Sequence, residues 1–127
     1  MTMLAKSVAG GHKRTKLSPD EAMHYTAPYP DAKSRTPHAV FLRELTAARS
    51  DLQDLERSLP AISDLPTLIL WGDKDSFYKQ PEESRIEAMF PNHRTHVLEG
   101  VGHFIQDDGG DEIIDHINDW WPKHHTD

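Results

Sequence analysis

Apolar positions in the second half of the chain fall into two patterns with different periods. Residues 65 to 72, "LPTLILWG", form a short continuous apolar run after Asp64, which predicts a strand buried on both faces. Residues 94 to 100, "RTHVLEG", predict a second strand. Between them, "PEESRIEAMF" reads as a helix opened by Pro81, with two glutamates in its first turn where the helix dipole favours them, and ended before Pro91. The last segment carries Ile113, Ile114, Ile117, Trp120 and Trp121 on one helical face. It predicts a helix from about Gly110 to Trp121, closed by Pro122. Strand, helix, strand, helix is the signature of a parallel α/β unit.

The first half is helical and broken by prolines. Ser18 with Glu21 three residues later, and Pro19 at the first helical position, form a capping box that opens a helix through about Thr26. "APYPDAKSRTP" interrupts it with three prolines. Thr36 and Pro37 then start "HAVFLRELTAA", and Ser50 with Gln53 starts "DLQDLERSL", whose Leu52, Leu55 and Leu59 make one stripe expected to help cover the sheet. Residues 1 to 16 mix glycine with basic residues without periodicity, and read as a loose leader or the cut edge of something longer.

Composition narrows the range of functions. The chain has 127 residues, of which 36% are hydrophobic, so one domain with a thin core is expected. A net charge of -7 opposes attraction to nucleic acid or to an anionic membrane surface. With no cysteine there is no disulfide framework, no thiolate metal site and no nucleophilic thiol. No segment has the apolar length of a signal peptide or a membrane span, so a cytoplasmic chain is the expectation.

The candidate chemistry lies just beyond the two strands. "WGDKD" brings Asp73 and Asp75 to the end of the first, and "EGVGHF" brings His103 to the end of the second, 28 residues after Asp75. In parallel sheets the loops beyond the carboxyl ends of the strands converge. A histidine acting as general base needs an acceptor on its other ring nitrogen, and a carboxylate on the neighbouring loop supplies it. Asp75 is the better acid, since Asp73 falls in the turn directly after the strand. Gly100 and Gly102 allow the tight turn that would present the ring. Either motif alone also fits an ordinary solvated turn; it is their order on consecutive strands that argues for a pair.

The stretches "LPTLILWGDKD", "FPNHRTHVLEGVGHFIQDD" and "DEIIDHINDWW" resemble the C-terminal part of an α/β-hydrolase, and most of all a haloalkane dehalogenase. "LSPDEAMHYTAPYPDAKSRTPHAVFLREL" is similar to the closing segment of that family's helical cap. The resemblance implies a C-terminal fragment of an α/β-hydrolase fold, two parallel strands with flanking helices preceded by cap-like helices. Its segments would be a leader over 1–16, cap-like helices over 17–49, hydrolase core over 50–121 and a tail over 122–127. It also implies Asp75 as the catalytic acid and His103 as the base, with a small haloalkane or related molecule as substrate of the intact enzyme; no cofactor or metal is expected. Phe104, next to the base, either lines a substrate pocket or is buried beneath the loop. In such an enzyme an aspartate displaces halide to form an alkyl ester, and the histidine activates the water that cleaves it.

The nucleophile itself is missing. No G-x-S-x-G elbow occurs, nor an aspartate version of it, and the loop that stabilises the oxyanion or halide is absent too. The chain alone is therefore expected to be inactive. Epoxide hydrolase, esterase and a non-catalytic interaction module derived from a hydrolase remain alternatives. The first strand would have one edge open, which invites self-association. Other residues point elsewhere only weakly. His93 and His96 lack a third metal ligand, Trp120 and Trp121 sit on a core stripe, and Tyr25 and Tyr29 anchor the proline-rich segment more readily than they protonate a substrate.

Overall fold

The computed structural model describes residues 10–78 and 80–124. The elements are α1 (Pro19–Thr26), α2 (Thr36–Ala47), α3 (Arg49–Ser58), a 3-10 turn (Leu59–Ile62), β1 (Thr67–Gly72), α4 (Gln80–Met89), β2 (His93–Leu98), α5 (Ile105–Asp108) and α6 (Gly110–His124). The two strands pair in parallel from Thr67 opposite His93 to Gly72 opposite Leu98. The architecture is α/β, two parallel strands with flanking helices behind a helical N-terminal half. Among the described residues, no helix is long and apolar enough to cross a membrane.

Local signals explain several of these boundaries. The Ser18 hydroxyl accepts the Glu21 N–H at 3.2 Å, while the Glu21 carboxylate accepts the Ser18 N–H at 2.7 Å, so the capping box forms as its sequence dictates. The other two expected caps do not form. Thr36 lies inside α2, which starts after Arg35 without a side-chain cap, and α3 begins at Arg49 behind Ala48 rather than at a Ser50 cap. Prolines at the first turn of α2 and in the 3-10 turn set φ there and remove a donor the helix would not have used.

Pro122 does not close the last helix, which runs on to His124. A proline in a final turn forfeits one hydrogen bond, and little helix remains beyond it to be disrupted. The stripe on α6 is also only partly buried: Trp120 is in the core, whereas Ile114, Ile117 and Trp121 are exposed. Leu52 and Leu55 of α3 are 51% and 60% exposed, so the expected leucine cover over the sheet is absent. Among the described residues the buried hydrophobic side chains are Ile69, Leu98, Val101 and Trp120, centred on the strand ends and the loop after β2. This core is as small as the composition implies, and it sits directly beneath the candidate site.

Several polar links tie helices to neighbours. Arg85 of α4 pairs with Glu56 of α3, Arg94 of β2 pairs with Asp119 of α6 at 2.7 Å, and Arg14 reaches Glu112 at 2.6 Å. Exposed pairs of this kind add little stability each, and they orient helices more than they hold them.

Candidate active site

Asp75 and His103 meet at the carboxyl end of the sheet because β1 and β2 are adjacent, parallel and in register to their last residues. The chain leaves β1 at Gly72 and turns through Asp73 and Lys74, where the Asp75 N–H donates to the Gly72 carbonyl at 3.1 Å. It leaves β2 at Leu98 and turns at Gly100, whose φ of 76° is strained for any residue with a Cβ. The Lys74 N–H donates to the Val101 carbonyl at 2.9 Å, which fastens the two loops to one another.

The acid and the imidazole are in direct contact. His103 Nδ1 lies 2.9 Å from Asp75 Oδ2, with the carboxylate 10% and the imidazole 28% exposed. The other oxygen, Oδ1, accepts the N–H groups of Phe77 at 2.7 Å and Tyr78 at 3.1 Å. Burial pushes the Asp75 carboxyl upward, but the bonds from His103 and from the Tyr78 and Phe77 amides outweigh it and hold the group below its usual value. Asp75 is thus an anion with a fixed direction, suited to hold the ring in the tautomer that bears its proton on Nδ1.

Aromatic rings surround the imidazole. Phe77 and Tyr78 lie 4.6 and 5.6 Å from it, centroid to centroid, and Phe104 packs edge-on at 5.3 Å. Phe104 in turn stacks against the buried His12 ring at 5.5 Å. The sequence singled out Phe104 but not Phe77 or Tyr78. Their place two and three residues after the acid was the available signal, since an Asp whose side chain caps the following turn brings those residues back towards its partner.

Asp73 is occupied elsewhere. Its Oδ1 accepts the Gly100 N–H at 2.6 Å and its Oδ2 pairs with Lys74. The Lys74 ammonium first, and then the Gly100 amide, lower its pKa against the opposing effect of burial. His93 and His96 do not join the site. His93 Nδ1 is 2.6 Å from the Phe90 carbonyl, and His96 stacks on His116 of α6 at 3.8 Å. Among the described residues there is no group of three or more His, Asp or Glu side chains able to hold a metal ion.

One buried carboxylate was not foreseen. Asp108, 2% exposed, accepts backbone N–H groups from Lys13 at 2.8 Å, Arg14 at 3.0 Å, Thr15 at 2.6 Å and Gly102 at 2.6 Å. Burial pushes its pKa up, yet the amides of Lys13, Thr15, Gly102 and Arg14 prevail and bring it down to about 2. Residues 11 to 15, read from sequence as part of an unstructured leader, therefore lie as a strap against the His103 loop; residues 1 to 9 fall outside the described residues.

No family model matches the chain. It is similar to haloalkane dehalogenase 2 of Mycobacterium bovis and of Mycobacterium tuberculosis, each 38% identical over 103 residues that make up 78% of this chain and 36% of the relative. It is also similar to the cis-3-alkyl-4-alkyloxetan-2-one decarboxylase of Shewanella oneidensis, 27% identical over 121 residues, 91% of this chain and 38% of that protein. The chain thus spans little more than a third of the length of the curated relatives it matches.

Proposed function

We propose that this chain, similar to haloalkane dehalogenases over about a third of their length, corresponds to the C-terminal part of an α/β-hydrolase and supplies the acid and base half of a hydrolytic site for a small haloalkane or a related molecule. The observation that carries this reading is the 2.9 Å bond between His103 Nδ1 and Asp75, together with the two amides that fix the far oxygen of the carboxylate. With Nδ1 engaged, Nε2 is the nitrogen left to take a proton.

In the assembled enzyme an aspartate outside this sequence would attack the halogen-bearing carbon, and halide would leave with the bonding pair. His103 Nε2 would then accept a proton from water as the water attacks the ester carbonyl. The alcohol is released, the nucleophile returns as a carboxylate, and the imidazolium charge is balanced by Asp75 until the proton passes to solvent. Phe77, Tyr78 and Phe104 would keep bulk water from the ester and offer an apolar wall to an alkyl chain. The proposal places this chemistry in the cytoplasm.

The test is reconstitution. The chain is mixed with the upstream two thirds of a haloalkane dehalogenase, exposed to 1-bromobutane, and followed by halide release and intact mass. Turnover is expected with the native chain. With His103→Ala, halide release should stop after one equivalent while the upstream piece gains one butyl group. Neither halide nor mass gain in any mixture would defeat the reading. The exposed Leu52 and Leu55 favour a second one, a non-catalytic module that pairs with another chain, and complex formation without chemistry is the outcome that would support it.

A further inference from the structure

The Asp75–His103 contact explains the direction of the ring, but not what holds the loop that carries it. Gly102, immediately before the histidine, donates its N–H to Asp108 Oδ2 at 2.6 Å. The same carboxylate gathers the N–H groups of Lys13, Arg14 and Thr15, which are 93 to 95 residues distant along the chain. Two residues ahead of these donors, the Gly11 carbonyl accepts the N–H of His103 itself at 2.8 Å. The backbone on both sides of the Gly102–His103 peptide is therefore held by one assembly, made of Asp108 and the strap it captures.

The packing is close. A Cβ at Gly102 would run into the Gly11 carbonyl, and a Cβ at Gly11 would run into the Phe104 ring. His12 lies beneath, its ring against Phe104 and its Nε2 3.5 Å from Asp107 Oδ2. Four amides converging on a carboxylate with 2% exposure form a stiff, water-poor anchor, since each would be costly to leave without an acceptor. Helix α5, four residues long, supplies the anchor from the other side of the same loop.

We propose that Asp108 is a positioning residue for His103: by clamping residues 13 to 15 and Gly102 onto one carboxylate, it sets the height and tilt at which the imidazole meets Asp75. The proposal rests on the acid and base reading of Asp75 and His103, but not on the identity of the substrate. It makes residues 11 to 15, far from the loop in sequence, a part of the base's support.

The experiment reads the imidazole directly, in the full 15N-labelled chain. The Nδ1–H signal of His103, assigned by its disappearance in His103→Gln, should be present in the native chain and lost in Asp75→Asn. In Asp108→Asn, which keeps volume but turns amide hydrogens towards amide donors, the signal should be lost to solvent exchange although Asp75 and His103 are intact. Thr15→Pro deletes one strap donor and leaves the carboxylate in place; it should weaken the same signal, and it serves as the test if Asp108→Asn does not fold. An unchanged Nδ1–H signal in whichever of these variants is folded overturns the proposal, and so does a native chain without the signal. Failure of the reconstituted enzyme to release halide, with the signal behaving as expected, would overturn the dehalogenase reading alone.

Discussion

Asp73 and Asp75, two residues apart, hold opposite ends of the same loop: Asp73 accepts the N–H of Gly100 at its start, and Asp75 meets the ring of His103 at its end. A carboxylate bonded to a glycine amide and a lysine fixes a turn, and one bonded to an imidazole orients the ring. Their similar chemistry is divided by position alone.

This division predicts unequal variants. In the assembled enzyme Asp75→Asn should slow turnover by about 10²–10⁴-fold, as expected when a base loses its correct tautomer. Asp73→Asn should cost less than about tenfold, because it weakens a turn that the Lys74 to Val101 bond also holds. Steady-state rates for the two variants decide the matter. A crippled Asp73→Asn beside an unaffected Asp75→Asn would reverse the assignment.

The chain by itself should release no halide from alkyl bromides, and hydrolyse no simple ester, above the buffer rate. A positioned base without a nucleophile has no covalent step to complete. Activity that survives purification and vanishes in His103→Ala would reveal a nucleophile within this sequence.

Stability should depend on pH through the stacked rings of His96 and His116, 3.8 Å apart between β2 and α6. Burial first, then the neighbouring His116 and Arg94, lower the pKa of His96, against the opposing pull of Asp119 and Glu112. The folded state therefore favours neutral His96, so its contribution is complete above the ordinary value of 6.5 and is lost as pH falls through the lower folded value. Melting temperature should drop from pH 7 to pH 5, and His96→Phe should flatten that slope. A second loss, from Asp108, should begin below 3.8 and finish near 2.

Leu98 is fully buried at the end of β2, under both site loops. Leu98→Ala should destabilise the chain by about 2–5 kcal/mol, measured by urea unfolding. A loss of that size would fall on a core of few residues, so partial unfolding in buffer is the expected practical result.

Association should follow from the exposed apolar faces. Among the described residues β1 pairs on one side only, and Leu45, Leu52 and Leu55 are exposed on α2 and α3. Light scattering should show self-association that rises with concentration, and Leu52→Glu with Leu55→Glu should reduce it without changing the circular dichroism spectrum.

What the sequence disclosed and what it withheld differ by range. The capping box at Ser18 was legible because donor and acceptor are three residues apart. The strand, helix, strand order was legible from periodicity, and adjacency of parallel strands then brought Asp75 towards His103. Asp108 was not, because an aspartate in a short acidic run looks solvated until the amides of residues 13 to 15 are known to surround it. The leucine stripe on α3 shows the opposite limit. Amphipathic spacing states what a helix can bury, and here no described element covers Leu52 or Leu55.

Asp75 and His103 both follow from a single uninterrupted stretch beginning at Thr67, a strand, a helix and a strand read off one after another. The paired carboxylate and imidazole are in this way one contiguous block of sequence. On the acid and base reading, a genetic exchange upstream of the codon for Gly11 would transmit both groups together with the strap that supports the His103 loop, to whatever nucleophile the new neighbour encodes. A nucleophile could then be exchanged without these two side chains having to find one another anew.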